Sequence, residues 1–251
     1  MVNGLEVFRD YFEGYDDQYV LIGGAACDIL FRNNDAHFRA TRDLDMVLIV
    51  EALTPEFVQR LWEFIKDGKY RNKATGNGKP QFYRFDKPEN DSYPKMIELF
   101  CKADIVLAEL NGITPVHVDD SVSSLSAILL DGDYYKVLLE GRTNAGGFSV
   151  LRPEYLILFK AKAYLDLRKR KDEGYNIDTN DIRKHKKDVL RIAVELILED
   201  VKGLPLSVNK DINDFVSSLK QDPFDDSLLK GYGVSNEDVI SVLNRVFLNV
   251  F

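Results

Sequence analysis

The sequence predicts an α+β fold: a mixed β-sheet flanked by helices over residues 1–152, followed by a C-terminal helical bundle over 153–251. Three observations carry this expectation. Through the first half, short runs rich in branched and aromatic residues alternate with helical runs. At Pro153 the character changes, and four stretches with apolar residues at helical spacing follow. With 251 residues, 45% hydrophobic and 29% charged, the chain is long enough for two domains that each bury a core.

Taken in order, QYVLIGG (18–24) reads as a strand that ends in a glycine turn, and ACDILFR (26–32) as the helix launched by that turn. DLDMVLIV (43–50) is a strand, and TPEFVQRLWEFIKDG (54–68) is a helix with a Thr-Pro start. KYRNKATGNGKP (69–80) has the composition of a loop. QFYRFD (81–86) and KMIELFC (95–101) read as strands, and VHV (116–118), SAILLD (126–131), YYKVLLE (134–140) and FSVL (148–151) as weaker ones. Asp131-Gly132 is a hairpin signal between two of these. Helices are predicted over 153–171, 178–200, 210–220 and 236–249, with Asp178 or Thr179 capping the second.

Composition narrows the function. No apolar run reaches the roughly 18 to 20 residues of a membrane span, and the start, MVNGLEVFRDYFEG, lacks the pattern of a secretory signal, so a cytoplasmic protein is expected. Cys27 and Cys101 lie in apolar runs without CxxC spacing, which suggests neither zinc nor a disulfide. His37, His117 and His185 share no ligand spacing, and no Gly-x-Ser-x-Gly elbow occurs. A net charge of −8 argues against a protein that coats nucleic acid; RKRK (168–171) and RKHKK (183–187) offer a local basic track for RNA, although charge runs on amphipathic helices are usually solvated faces.

The chemistry concentrates around Asp43 and Asp45. Two carboxylates at i and i+2 of a strand share one face while Leu44 and Met46 face the core. Like charges held that close repel unless a cation bridges them or solvent screens them, and magnesium commonly uses one or two carboxylates plus substrate phosphates. Upstream, Gly23-Gly24 joins a strand to a helix whose N-terminal N–H groups can meet a phosphate without an intervening side chain. Glu98 interrupts an otherwise apolar strand, where it would complete a three-carboxylate cluster or act as a base toward an attacking hydroxyl.

The segment LIGGAACDILFRNNDAHFRATRDLDMVLIVE resembles the nucleotidyltransferase core of the AbiEii/AbiGii toxin family, within the polymerase β-like superfamily. That family's pattern is a hydrophobic strand, Gly-Gly, a short helix, then Arg-x-Ser/Thr-x-Asp-x-Asp; here it is filled by Gly23, Gly24, Arg39, Thr41, Asp43 and Asp45. The family also carries a lysine in an early C-terminal helix, matched by Lys160 with Lys162 as a rival, and an aspartate in the next, matched by Asp188. Two departures stand out. Ala25 follows Gly24 where the wider superfamily favours Gly-Ser, and eighteen residues separate Gly24 from Asp43.

The resemblance implies an enzyme that moves a nucleoside monophosphate from a nucleoside triphosphate to an acceptor hydroxyl, releasing pyrophosphate. Mg2+ or Mn2+ would sit on Asp43, Asp45 and Glu98, with the nucleotide against Gly23, Gly24, Arg39 and Thr41. Lys160 or Lys162 would contact phosphate, with Asp188 orienting the lysine or the acceptor. Its acceptors would be a tRNA 3′ end, another RNA or a protein side chain, and its setting a toxin neutralised by an antitoxin protein. Two other readings share the scaffold: a catalytically silent nucleotide-binding or protein-interaction module, and transfer of phosphate to water.

Overall fold

The computed structural model describes residues 2–74, 80–101 and 131–248. The chain divides into two compact units, Met1–Leu130 with Arg142–Leu151, and Asp131–Gly141 with Arg152–Phe251. The expected strands at 116–118 and 126–131, apart from Asp131, and residues 75–79 of the expected loop lie outside the described residues.

The first unit is built on strands too apolar to remain in solvent. In β1 (Tyr19–Ile22) every residue is buried, and in β2 (Asp43–Leu48) burial alternates and then becomes continuous. These two run antiparallel, with Leu21 opposite Met46 and Ile22 opposite Asp45. On the far side of β2 lies β5 (Met96–Cys101), parallel and in full register, so that Leu44, Asp45 and Met46 face Ile97, Glu98 and Leu99. With β3 (Arg71–Ala74), β4 (Pro80–Asp86), β6 (Arg142–Ala145) and β7 (Phe148–Leu151), a seven-stranded mixed sheet forms in the order β3-β4-β5-β2-β1-β7-β6.

Both edge strands differ from expectation. Residues 71–74 have loop composition yet pair antiparallel with β4, with an irregularity between Asn72 and Ala74. Residues 142–145 pair with β7 through Gly146 and Gly147, both at positive φ (62° and 84°), as a two-residue hairpin loop requires. RNKA and RTNA carry almost no apolar signal because an edge strand needs no burial on its open side, and polar residues there discourage pairing with other chains.

One sheet face carries Tyr19, Leu21, Leu44, Met46, Leu48, Ile97 and Leu99, all buried. Two helices meet it through an aromatic cluster. α1 (Leu5–Phe12), an element the sequence reading left out, buries Leu5, Phe8 and Phe12. α3 (Pro55–Asp67) starts at Thr54, whose hydroxyl accepts from the Phe57 N–H, and buries Phe57 and Phe64. Phe8 lies 4.5 Å from Phe12, 5.4 Å from Tyr19 and 5.7 Å from Phe64, ring centre to ring centre. Burial pushes the Tyr19 hydroxyl up to about 12.

The second unit is helical: α4 (Gly132–Glu140), α5 (Pro153–Asp172), α6 (Thr179–Glu195), α7 (Leu206–Ser218), α8 (Asp226–Tyr232) and α9 (Asn236–Leu243), followed by a wide π turn at Asn244–Leu248. α4 corrects the strand expected at 134–140. Asp131 is an N-cap, its Oδ1 accepting from the N–H of Asp133 (2.8 Å) and Tyr134 (3.3 Å), so the Asp-Gly pair starts a helix instead of closing a hairpin. Tyr134, Tyr135, Val137 and Leu138 are then buried together at helical spacing. The helix expected over 178–200 ends at Glu195, and its start is capped by Asp178. α7 begins at Leu206, directly after Pro205, and ends at Ser218, against the expected 210–220.

Phe64 of α3 touches the rings of Phe8 and Phe12 on α1, of Tyr70 just before β3 and of Tyr93 between β4 and β5, and is fully buried. Phe64→Ala is expected to cost about 3–5 kcal/mol, read as a lowered urea midpoint with unchanged slope.

Candidate active site

On the sheet face opposite the aromatic cluster, the alternation of β2 places Asp43, Asp45 and Val47, and that of β5 places Met96, Glu98 and Phe100. The face is divided along its length. Val20, Val47 and Phe100 are buried, whereas Asp43, Asp45 and Glu98 are partly open to solvent. Across the strands the pairing runs Ile22, Asp45, Glu98, Arg84, and one step earlier Asp43, Met96, Asp86. Neighbouring strands lie about 4.8 Å apart, which puts the Asp45 and Glu98 side chains next to each other.

Ile22 ends β1 beside Asp45, and α2 (Gly23–Arg32) starts at the next residue. Gly23 has φ of 65°, and a Cβ at that position would overlap Oδ2 of Asp45. A Cβ on Gly24 would come within 3.0 Å of Thr41 Cβ and crowd its hydroxyl. The two glycines are therefore fitted to the Thr-x-Asp-x-Asp segment itself, and the N-terminal N–H groups of α2 stand next to the Asp45 carboxylate. Behind them α2 is anchored: Asp28, 3% exposed, accepts from the Val2 N–H at 3.0 Å and pairs with Arg32. Arg39 lies with its guanidinium 5.1 Å from the Phe38 ring, which in turn packs on Phe31 of α2.

Glu98 forms an ion pair with Arg84, its neighbour on β4. Among the described residues no group of three or more His, Cys, Asp or Glu side chains is arranged to hold a metal. The three acids thus share a face, but Glu98 turns to Arg84 on its other flank. Arg84 and Asp86 were missed as site residues. Their alternation in QFYRFD marks a two-faced strand, but only the pairing with β5 reveals which acid Arg84 meets.

Lys160 and Asp188 belong to the second unit. Lys160 Nζ donates to Asp188 Oδ2 at 2.9 Å, with the side chains 7% and 1% exposed. Lys162, two residues further along α5 and so on another side of the helix, instead bridges Asp166 (3.1 Å) and Asp211 (3.3 Å). Burial pulls the Lys162 ammonium down, but these two carboxylates outweigh it and hold it above the usual lysine value. One residue of the second basic cluster turns inward. Lys186 is buried and donates to the Pro223 carbonyl at 2.9 Å, while Arg183, Lys184 and Lys187 are exposed.

No family model matches the chain, and no curated protein matches it. The AbiEii/AbiGii resemblance therefore stands on its motif residues. Among solved structures the chain is similar to an antigenic nucleotidyltransferase-like protein from Paracoccidioides brasiliensis. That similarity has 16% identity and a TM-score of 0.48, over 97% of this chain and 94% of the other. With so few identical residues, the chemistry has to be read from this chain's own side chains. No helix among the described residues is long and apolar enough to cross a membrane.

Two stability measurements probe these arrangements. Gly23→Ala forces a side chain into positive φ and onto Asp45, and is expected to cost about 1–3 kcal/mol in urea unfolding. Lys160→Met leaves Asp188 charged and buried, with an expected loss of about 3–5 kcal/mol. Adding Asp188→Leu should recover much of the Lys160→Met loss; no recovery would show that the pair does not act as a unit.

Proposed function

We propose that this chain is a metal-dependent nucleotidyltransferase that moves a nucleoside monophosphate from a nucleoside triphosphate to an acceptor hydroxyl. The observation that supports this most is the junction of Gly23 with Asp45, because it sets a bare helix N-terminus beside paired carboxylates. Anionic phosphate favours the first, a hard cation the second, and a metal-bound triphosphate needs both. The donor set suits magnesium or manganese, since two carboxylates with substrate phosphates suffice. Held by Asp43 and Asp45, with Glu98 as a further oxygen ligand, the ion would neutralise charge on the phosphate oxygens.

The chain's own groups supply the rest. The N–H groups at the start of α2 donate to phosphate oxygens, and the missing side chains at Gly23 and Gly24 let the phosphates approach. Arg39 and Thr41, on the approach to β2, are assigned to the nucleotide by the motif. As the acceptor oxygen bonds to the α-phosphorus, the bond to pyrophosphate breaks, and a carboxylate of the acid-bearing face takes the hydroxyl proton. In the second unit, the family pattern assigns Lys160 to phosphate, and its contact with Asp188 agrees with the aspartate orienting that lysine. The proposed acceptors are an RNA or tRNA 3′ end or a protein hydroxyl. A toxin paired with a cognate antitoxin is the proposed setting.

A second reading is a catalytically silent module that binds nucleotide. The Arg84–Glu98 ion pair favours it, because it occupies the third acid. One experiment separates them: incubation with each α-labelled triphosphate and magnesium, with total RNA or with the protein alone. Label transfer with pyrophosphate release is expected from the wild-type chain. Asp43→Asn and Asp45→Asn should each lower it by roughly a thousandfold or more with the melting transition retained. Full transfer by Asp43→Asn would sink the assignment.

A further inference from the structure

The proposed chemistry does not explain why a glutamate on the acid-bearing face is engaged by an arginine. In that row Glu98 has Asp45 on one side and Arg84 on the other. Its carboxylate, on a side chain with three rotatable bonds, can turn to either flank, and here it turns to the guanidinium. Arg84 is the more open partner, with 34% of its side chain exposed against 15% for Glu98. A guanidinium fork fits phosphate as well as it fits carboxylate, so a polyphosphate arriving at the start of α2 competes with Glu98 for the same cation.

We infer that Arg84 exchanges partners: paired with Glu98 it draws that carboxylate toward β4, and on passing to the triphosphate it frees Glu98 to join Asp43 and Asp45. This rests on the nucleotidyltransferase reading above. The exchange makes metal and triphosphate bind cooperatively, each favouring the other by the same factor. The pairing also draws Glu98 off Asp43 and Asp45, which would otherwise repel it, on a face that carries a fourth acid, Asp86, beyond Met96.

The test uses the full chain and two probes, neither of which depends on turnover. Mn2+ binding without nucleotide is followed by electron paramagnetic resonance. Arg84→Met should bind Mn2+ roughly tenfold more tightly than wild type, because Glu98 is free to ligate, and Arg84→Met with Glu98→Gln should lose that gain. Arg84→Lys, which keeps the charge, should stay near wild type and guards against misfolding of the methionine variant. Tripolyphosphate binding without metal is followed by calorimetry. There Arg84→Met should weaken binding about fivefold or more and Glu98→Gln should strengthen it, since the competitor is gone.

Unchanged Mn2+ affinity in Arg84→Met overturns the inference. So does a gain that survives Glu98→Gln, which would assign it to the lost positive charge alone. Equal tripolyphosphate binding by Arg84→Met and wild type overturns the exchange. If Asp43→Asn abolishes Mn2+ binding while Arg84→Met changes nothing, the acid pair stands and only the role of Arg84 falls. Mn2+ binding that persists in Asp43→Asn removes the acid pair itself.

Discussion

The arrangement of the first unit depends on one steric condition: the space where Gly23 would carry a Cβ is occupied by the Asp45 carboxylate. β1 ends at Ile22, opposite Asp45, and α2 begins with no intervening loop. A residue with a side chain at position 23 would have to unwind the start of the helix, move β2 out of register with β1, or rotate Asp45 away. Each change would dismantle a different part: the row of N–H groups, the sheet, or the carboxylate pair. Helix dipole and acid pair are thus coupled by contact, and the Thr41–Gly24 packing repeats the coupling one residue further on.

That coupling also explains how a face with so many acids remains compatible with a folded sheet. Its apolar end, Val20, Val47 and Phe100, is covered and gives the strands reason to pair. Its charged end has two sources of compensation, the positive end of α2 beside Asp45 and the guanidinium of Arg84 beside Glu98. The opposite face spends no polar group at all among Tyr19, Leu21, Leu44, Met46, Leu48, Ile97 and Leu99 except the tyrosine hydroxyl, which meets the Ser149 N–H at 3.5 Å.

The central strands and the long helices were legible because they bury much of their surface, and burial leaves a period in the sequence. The edge strands at 71–74 and 142–145 were not, since exposure erases the period. Residues 134–140 misled for another reason. A run of Tyr, Tyr, Val, Leu and Leu suits strand or helix by composition, and the decision lay with a capping carboxylate at Asp131. α1 escaped because Phe8 and Phe12 sit among acidic and polar residues in a short helix that gains its stability from Phe64 and Tyr19. Within the candidate site, Gly23, Gly24, Asp43 and Asp45 were visible as a pattern, but the fit between them was not. The partner of Glu98 depends on which strand lies beside β5, information that no local segment contains.

The chain does not finish one unit before starting the other. It enters the second at Asp131, returns to the first at Arg142, and leaves it again at Arg152. Strand β7, which pairs with β1 at Leu21–Val150, is therefore synthesised only after α4 has already been laid down for the other unit. A fragment cut after residue 152 would carry α4 with Tyr134, Tyr135, Val137 and Leu138 stripped of their neighbours in the second unit. Interleaving of this kind means that the sheet draws its last strand, and the bundle its first helix, from segments that lie across a part of the other unit in the chain.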